Sequence, residues 1–263
     1  MTSKKQLLHD VLDIGGVFTL NNLYSPIATT YKGAMRRLYE YKDFWLENGF
    51  IQEMKPYDNY KPQNPGNELF YCLTKKGAAF IGRDDYDYNK ALKSPHLENI
   101  MHESAKFDVA LSFIRLYRDW DVKIEYKTFK GLRPDIFISM RRNGVILHFL
   151  VEIERKKDAS RVLREKVKEQ YQQKLKISET RNSLPESFNV LIVYSSLTYN
   201  PFTRPQQMTG NIVKDIQDLR NETWNLAVSS KLPIAKFIAL PDAFYLNETV
   251  WFNHRGERGR LIN

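Results

Sequence analysis

Apolar side chains recur along the chain with two different periods, which predict a mixture of helices and strands. Helical spacing occurs in residues 4–13, 29–48, 97–119, 155–176 and 210–228, and it keeps one face of 97–119 apolar. Runs of strand length occur at 50–54, 68–74, 121–129, 132–140, 145–153, 188–195 and 234–240. The first four stretches along the chain predict a small domain, and the remaining ones predict a larger domain.

The strongest local signal is the dipeptide Asn143-Gly144 between the strand-forming runs 132–140 and 145–153. A two-residue type I′ turn needs positive φ at both central positions, and Asn and Gly are the residues that adopt it most readily. The sequence therefore predicts a β-hairpin closed by these two residues.

The hairpin fixes which residues face each other, because Arg142 then pairs with Val145 and the numbers of every opposed pair sum to 287. Asp135 is placed across from Glu152, with Cβ atoms about 5 Å apart on one face of the sheet. Two carboxylates at this distance repel each other unless a cation lies between them, and a divalent metal is the natural candidate. One extra residue or a bulge would shift the register and remove this arrangement.

The N-terminal stretches predict a winged helix-turn-helix, with two helices followed by two strands that a polar, proline-containing loop (56–67) connects. The helix near residues 31–39 would enter a DNA major groove. Its basic residues and those of the wing are the expected DNA contacts: Lys32, Arg36, Arg37, Lys55 and Lys61. Winged helices also bind proteins, and the net charge of only +2 over residues 1–95 keeps that alternative open.

Three segments follow from these patterns: a winged helix-turn-helix DNA-binding domain at 1–82, a polar linker at 83–96, and a larger domain at 97–263. The larger domain runs helix, antiparallel strands, helix, strand, helix, strand, which predicts an α/β arrangement around a mixed sheet. The expected fold class is therefore α+β, with the winged helix preceding an α/β domain.

Charge and composition favour a nucleic-acid partner, because the net charge is +9 and the sequence pI is about 9.4. Solubilising surface charge is the alternative explanation. No apolar run approaches the roughly 18 residues of a membrane span. The single cysteine, Cys72, excludes an internal disulfide and cysteine-rich zinc patterns. Without a stretch typical of a signal peptide, these features predict a cytoplasmic protein.

The segment 155–176 carries nine basic and three acidic residues and follows directly after the second hairpin strand. It predicts a helix with one buried stripe and positive outer faces. Arg161, Arg164 and Lys168 are the candidate phosphate contacts. A solvated charged face without a ligand explains the same pattern equally well.

Pro134-Asp135, an apolar strand that ends at Glu152, and the basic helix after it resemble the PD-(D/E)xK nuclease superfamily. The resemblance implies that Asp135 and Glu152 hold Mg²⁺ or Mn²⁺ and that the third motif position orients the attacking water. That position is Glu154 rather than the usual lysine. Lys156, two residues further on the same face, could supply the missing ammonium group. Arg133 is predicted to lie opposite Glu154, so a plain cross-strand ion pair is the alternative role for Glu154.

A second resemblance, covering residues from 7 to about 240, is to the replication-relaxation family of plasmid and mobile-element proteins. It is based on His102, Arg133-Pro134-Asp135, Glu152-Ile153-Glu154-Arg155 and Tyr171, in that order after a winged helix. It implies a bacterial protein associated with plasmid or nucleoid DNA. Replication, mobilisation or transposition proteins and a second copy of the chain are the implied partners.

Together the patterns and resemblances give two hypotheses. In the first, the chain binds DNA and nicks or cleaves it by metal-assisted hydrolysis, with Asp135, Glu152, Glu154 and Lys156 at the site. In the second, it is a non-catalytic DNA-binding accessory or transcriptional regulator that uses the nuclease-like domain as a scaffold. The glutamate at the lysine position favours the second hypothesis, and the opposed carboxylates favour the first.

Overall fold

The computed structural model describes residues 17–19, 31–54, 69–83, 97–116, 121–124, 132, 134–154, 186–194, 210–245 and 251–261. The chain forms two compact units, Met1–Leu111 and Ser112–Asn263. The helix predicted at 4–13, the wing loop, most of the linker and the basic segment 155–176 lie outside the described residues.

The first unit contains a small antiparallel sheet with the strand order β1-β3-β2. Its elements are β1 (Val17–Thr19), α1 (Tyr31–Glu47), β2 (Ile51–Met54), β3 (Phe70–Leu73) and α2 (Lys75–Phe80). The predictions of a helix at 29–48 and of strands on both sides of the polar loop are confirmed. Phe18, Trp45 and Tyr71 are among the side chains that form its buried interior.

The join between β3 and α2 depends on Thr74, whose side chain makes three hydrogen bonds. Its hydroxyl accepts from the backbone N–H of Gly77 at 3.0 Å and donates to the carbonyl oxygens of Gly49 and Phe50 at 2.6 and 3.2 Å. Thr74 is therefore the N-cap of α2 and also ties that helix to the end of α1. Gly77 is required because a Cβ there would collide with the carbonyl oxygen of Phe50.

The long helix α3 (Leu97–Leu116) matches the prediction for 97–119, and Ile100, Phe107 and Leu111 of its predicted apolar face are buried. Every residue from 104 to 113 is buried, including Lys106 and Asp108, so burial along this half of the helix extends beyond the apolar face. Lys106 is compensated by Glu103, whose Oε1 lies 2.8 Å from the ammonium nitrogen.

The second unit contains a seven-stranded sheet with the order β10-β9-β8-β7-β6-β5-β4. Its elements are β4 (Asp121–Ile124), β5 (Ile136–Arg142), β6 (Val145–Glu154), β7 (Glu186–Tyr194), α4 (Gly210–Ser230), β8 (Ala235–Ala239), a 3₁₀ helix (Leu240–Tyr245), β9 (Trp251–Phe252) and β10 (Arg258–Gly259). The β6–β7 and β7–β8 pairs are parallel and the other pairs are antiparallel. The prediction of a mixed central sheet is confirmed.

The core of this unit lies between α4 and one face of the sheet, and residues 190–194 of β7 are all buried. A central parallel strand is covered on both faces, which explains its continuous apolar sequence. An ion pair between Arg220 of α4 and Asp242 of the 3₁₀ helix closes one side of this core. Hydrogen bonding to Asp242 raises the pKa of the Arg220 guanidinium, which stays charged.

None of the helices in the described part of the chain combines the length and the apolar character needed to cross a membrane.

Candidate functional site

The candidate site is built on the hairpin of β5 and β6, whose turn has the predicted geometry. Asn143 and Gly144 have φ values of 49° and 74°, as a type I′ turn requires. Opposed pairs run from Arg142 with Val145 to Ile136 with Val151, so the predicted register is confirmed.

Asp135 directly precedes β5, one residue beyond the last ladder pair, and it is partly buried. Side chains alternate along a strand, so Glu152 belongs to the face of Leu150. Extending the β5–β6 register by one pair sets the backbone of Asp135 opposite Glu152. The Oδ2 atom of Asp135 accepts a hydrogen bond from the backbone N–H of Ile153 at 2.8 Å. This bond holds the carboxylate against β6, immediately beside Glu152.

Glu152 occupies the interior of the sheet, where it pairs with Ile192 of β7 and is only 3% exposed. Burial of a carboxylate costs several kcal/mol unless hydrogen bonds or a cation compensate for the lost hydration. A metal ligand is compensated by the cation, and a structural carboxylate is compensated by hydrogen bonds, so burial fits either role for Glu152. The sequence placed Glu152 on the site face, and its deep burial is a property that only the parallel β7 strand produces.

Glu154, the last residue of β6, faces a partner that sequence reasoning missed. In the parallel ladder it lies opposite Tyr194, whose hydroxyl donates to Glu222 Oε2 of α4 at 3.2 Å. Burial raises the pKa of Tyr194 to about 12, and the negative charges of Glu222 and Glu154 contribute to the shift. The three side chains thus form an acidic, tyrosine-containing corner at the carboxyl ends of β6 and β7. Nothing in the local sequence near Tyr194 predicts this pairing.

His148 lies on the same face of β6 as Glu152, but it serves packing. Its ring is buried and stacked between Phe137 and Phe188, with centroid separations of 5.3 and 4.7 Å. The sequence assigned no metal to this histidine, and an aromatic sandwich gives the ring a different role.

For several predicted site residues, the structure does not describe the side chain. The backbone positions of Lys32, Arg36 and Arg37 lie in α1, where the structure does not describe their side chains. Outside the described residues altogether lie Lys55, Lys61, Arg133, Lys156, Arg161, Arg164 and Lys168. The described part of the chain contains no group of three or more His, Cys, Asp or Glu side chains placed to hold a metal ion. The described candidate ligands are thus Asp135 and Glu152.

Comparison with protein-family models finds no match for this chain, and comparison with curated proteins finds none either. Among solved structures, the chain is weakly similar to the restriction endonuclease FokI, with 13% identity and a TM-score of 0.30. The DNA-bound structure of FokI gives 12% identity and the same TM-score of 0.30. Both matches cover 92% of this chain but only 43% of the FokI chain, so the protein spans less than half of FokI. A TM-score of 0.30 is too low to assign this chain to the fold of either structure.

Proposed function

We propose that the protein binds DNA and that its second unit nicks or cleaves DNA by metal-assisted phosphodiester hydrolysis. The observation that carries the proposal is the hydrogen bond from the Ile153 N–H to Asp135 Oδ2 at 2.8 Å, which brings the Asp135 carboxylate to the backbone next to Glu152. Two neighbouring carboxylates are a donor set that Mg²⁺ or Mn²⁺ accepts, since Mg²⁺ binds through one or two carboxylates and keeps several waters.

In this proposal, Asp135 and Glu152 would hold the metal ion, which would supply Lewis-acid polarisation of a phosphoryl oxygen and a lowered pKa for bound water. The backbone N–H of Ile153 keeps the Asp135 carboxylate in place before any ligand arrives. Glu154 orients the attacking water and accepts its proton. Lys156 stabilises the negative charge that develops on the phosphate.

Residues 1–82, in the first unit, are proposed to form a winged helix-turn-helix that holds the duplex. Support comes from the strand order β1-β3-β2 and from α1, which lies between β1 and β2 in the chain. Lys32, Arg36 and Arg37 contact the DNA from α1, with Lys55 and Lys61 in the wing. Arg161, Arg164 and Lys168 of the basic segment hold the backbone next to the site.

The biological setting belongs to the same proposal. The resemblance to the replication-relaxation family supports a role on a bacterial plasmid or mobile element, together with replication, mobilisation or transposition proteins. Winged helices commonly bind two-fold DNA sites as dimers, and a homodimer is the expected assembly.

The proposal is tested by incubating supercoiled plasmid with the protein and Mg²⁺ or Mn²⁺, in parallel with the variants Asp135→Asn and Glu152→Gln. Asn keeps an oxygen that can accept from the Ile153 N–H, so this substitution removes charge while the local structure is retained. Nicking should fall by more than about 100-fold in both variants, because even outer-shell partners of a metal cost about 10- to 100-fold.

Asp121→Asn is the matched control, because Asp121 is an exposed carboxylate on β4 of the same sheet. It should nick like the wild type. Equal nicking by the wild type and by both site variants would exclude catalysis by these carboxylates.

A second function, a non-catalytic DNA-binding accessory or regulator, is supported by Glu154 at the position where lysine is usual. It predicts that the wild type and both site variants bind DNA equally and that none of them nicks it with either metal.

A further inference from the structure

The C-terminal hairpin, β9 to β10 with its turn, is fixed by a network around Asn253. The Asn253 side chain accepts from the backbone N–H groups of Arg255 and Glu257 at 2.9 and 3.0 Å. Its Nδ2 donates to Glu257 Oε2 at 2.8 Å. The backbone closes the same loop through Gly256 N–H to the Asn253 carbonyl at 2.9 Å and Asn253 N–H to the Glu257 carbonyl at 3.0 Å. The turn therefore has one strongly specified conformation.

The hairpin is also tied to the body of the second unit. Trp224 of α4 donates from Nε1 to the Gly256 carbonyl at 3.2 Å. Gly256 has φ +79°, and a Cβ there would approach the Trp224 ring nitrogen to 2.5 Å, so the helix and turn are in close contact. On the other side, Lys236 Nζ donates to the carbonyl oxygens of Arg260 and Leu261, each at 3.1 Å. These contacts hold the turn at Gly256 and the chain directly after β10.

Three exposed arginines project from this fixed backbone: Arg255, Arg258 and Arg260. Within the described part of the chain none of their guanidinium groups is in an ion pair, whereas the one acidic residue, Glu257, is bonded to Asn253. The Arg258 guanidinium lies over the Phe252 ring, 5.2 Å from its centroid. Beside them, Trp224 is 43% exposed, a high value for a large apolar side chain.

We propose that these three arginines, the arginine hairpin, bind the phosphate backbone of DNA at a surface separate from the carboxylate site. Guanidinium groups bind phosphate through two parallel hydrogen bonds, and a fixed backbone lowers the entropy that is lost on binding. Arg258 lies in β10 and Arg260 directly follows this strand, so their backbone positions are at most about 7 Å apart. Phosphates of one duplex strand follow each other at a rise of about 3.4 Å along the helix axis, so the long arginine side chains can reach different phosphates.

DNA fits this surface better than a lipid membrane does. A membrane-binding surface needs several exposed apolar side chains next to its basic residues. In the described part of the chain, Trp224 is the one large hydrophobic side chain that is exposed. Exposed guanidinium groups with one aromatic ring beside them instead suit phosphate oxygens, which guanidinium binds with two hydrogen bonds. The net charge of +9 favours the same partner.

The inference rests on the proposed DNA partner and adds a second contact to it. Four strand spacings separate β6 from β10 in the sheet, a distance of about 19 Å. A duplex turn is about 34 Å long, so one bound duplex is long enough to reach both regions.

The test is fluorescence anisotropy with a labelled duplex over a range of salt concentrations, using the triple variant Arg255→Gln, Arg258→Gln, Arg260→Gln. The affinity at low salt should fall by at least tenfold. The slope of log K against log salt should become shallower by up to about 2.7, at about 0.9 for each phosphate contact. The matched control removes three positive charges elsewhere in the second unit, at exposed positions: Arg141→Gln, Arg142→Gln and Lys214→Gln. It should change the slope little.

Replacement of the same three arginines by lysine keeps their charge and should restore most of the slope. Two results would contradict the proposed DNA contact of the arginine hairpin. One is a slope of log K against log salt in the glutamine variant equal to that of the wild type. The other is an equal change of this slope in the control variant. Hairpin-dependent binding to vesicles of anionic lipid, with DNA binding unchanged, would also contradict this contact. If the arginines affect DNA binding but neither the wild type nor any variant nicks plasmid, the proposed DNA contact of the arginine hairpin is retained and the proposed cleavage is rejected. If nicking depends on Asp135 while the triple glutamine variant of the arginine hairpin binds DNA normally, only the proposed DNA contact of the arginine hairpin is rejected.

Discussion

Burial gives two tyrosines of this protein acid–base properties that their sequence neighbours do not indicate. Tyr194 is almost fully buried beside Glu154 and Glu222, and its pKa is raised to about 12. Tyr71, in the first unit, has its pKa raised to about 12 by burial and then by Glu53. In each case the folded chain keeps the phenol proton at a pH where an exposed tyrosine has lost it.

The consequence is a loss of stability at high pH. Between pH 10 and 12 the unfolded chain releases the proton of Tyr194 while the folded chain retains it, so the free energy of unfolding falls as pH rises. Tyr194→Phe removes the hydroxyl that carries this proton, so the free energy of unfolding should fall less steeply with pH in that variant. Urea unfolding at pH 9, 10 and 11 measures the effect. Tyr71→Phe should reduce the dependence for the first unit, and parallel pH profiles for Tyr194→Phe and the wild type would contradict the assigned pKa shift.

At the scale of secondary-structure elements, glycine is required for different reasons at two junctions. Gly144 has φ +74° and open space where a Cβ would be, so its role in the hairpin turn is conformational. Gly77 in α2 has ordinary helical backbone geometry but lies against the Phe50 carbonyl oxygen, so its role is close packing. Together with the Thr74 cap, that contact fixes the direction in which α2 leaves β3.

Alanine at these positions should therefore have different effects. Gly144→Ala should cost about 1 to 2 kcal/mol, the price of a left-handed conformation with a side chain. Gly77→Ala should cost more, because a Cβ against a carbonyl oxygen forces backbone movement, and overpacking typically costs about 1 to 3 kcal/mol even where side chains can adjust. Urea unfolding measures both costs. Gly82→Ala, with φ +72° and open space in the first unit, is the control, and it should match Gly144→Ala. A smaller cost at Gly77 than at Gly82 would contradict the packing argument.

At the scale of the whole molecule, positive charge is present in both units, with an excess of +9 for the chain. Two linked binding units raise each other's effective concentration, so moderate contacts in each unit give stronger binding together than separately. The proposed contacts in α1 and in the arginine hairpin would act in this way if they bind one duplex.

This arrangement predicts how charge removal combines. Neutralising Lys32, Arg36 and Arg37 by glutamine, or neutralising the arginine hairpin, should each reduce the salt dependence of duplex binding by up to about 2.7. Combining both sets should reduce it by about the sum, measured by anisotropy with one duplex long enough for both units. If the combined variant has the same salt dependence of duplex binding as one of the two triple variants, only one unit contacts DNA.

Short-range patterns were sufficient for much of this fold. Helical spacing located α1 and α4, and the Asn143-Gly144 turn fixed the register of β5 on β6, because a two-residue turn leaves no freedom in the pairing. The prediction that Asp135 lies across from Glu152 follows from that turn alone, and the observed register agrees with it as far as Ile136 and Val151. These features depend on residues close together in the chain, where backbone conformation and side-chain period decide the outcome.

Other features exist only because distant segments meet. The pairing of Glu154 with Tyr194 comes from a parallel ladder between strands 40 residues apart, and its register depends on the packed core rather than on a turn. The burial of residues 104–113 of α3 and the contact of Trp224 with Gly256 have the same origin. The sequence by itself determined the carboxylate pair on one hairpin. The tertiary structure decided how deeply Glu152 is buried and which groups surround Glu154, because burial is set by neighbours that the local sequence does not contain.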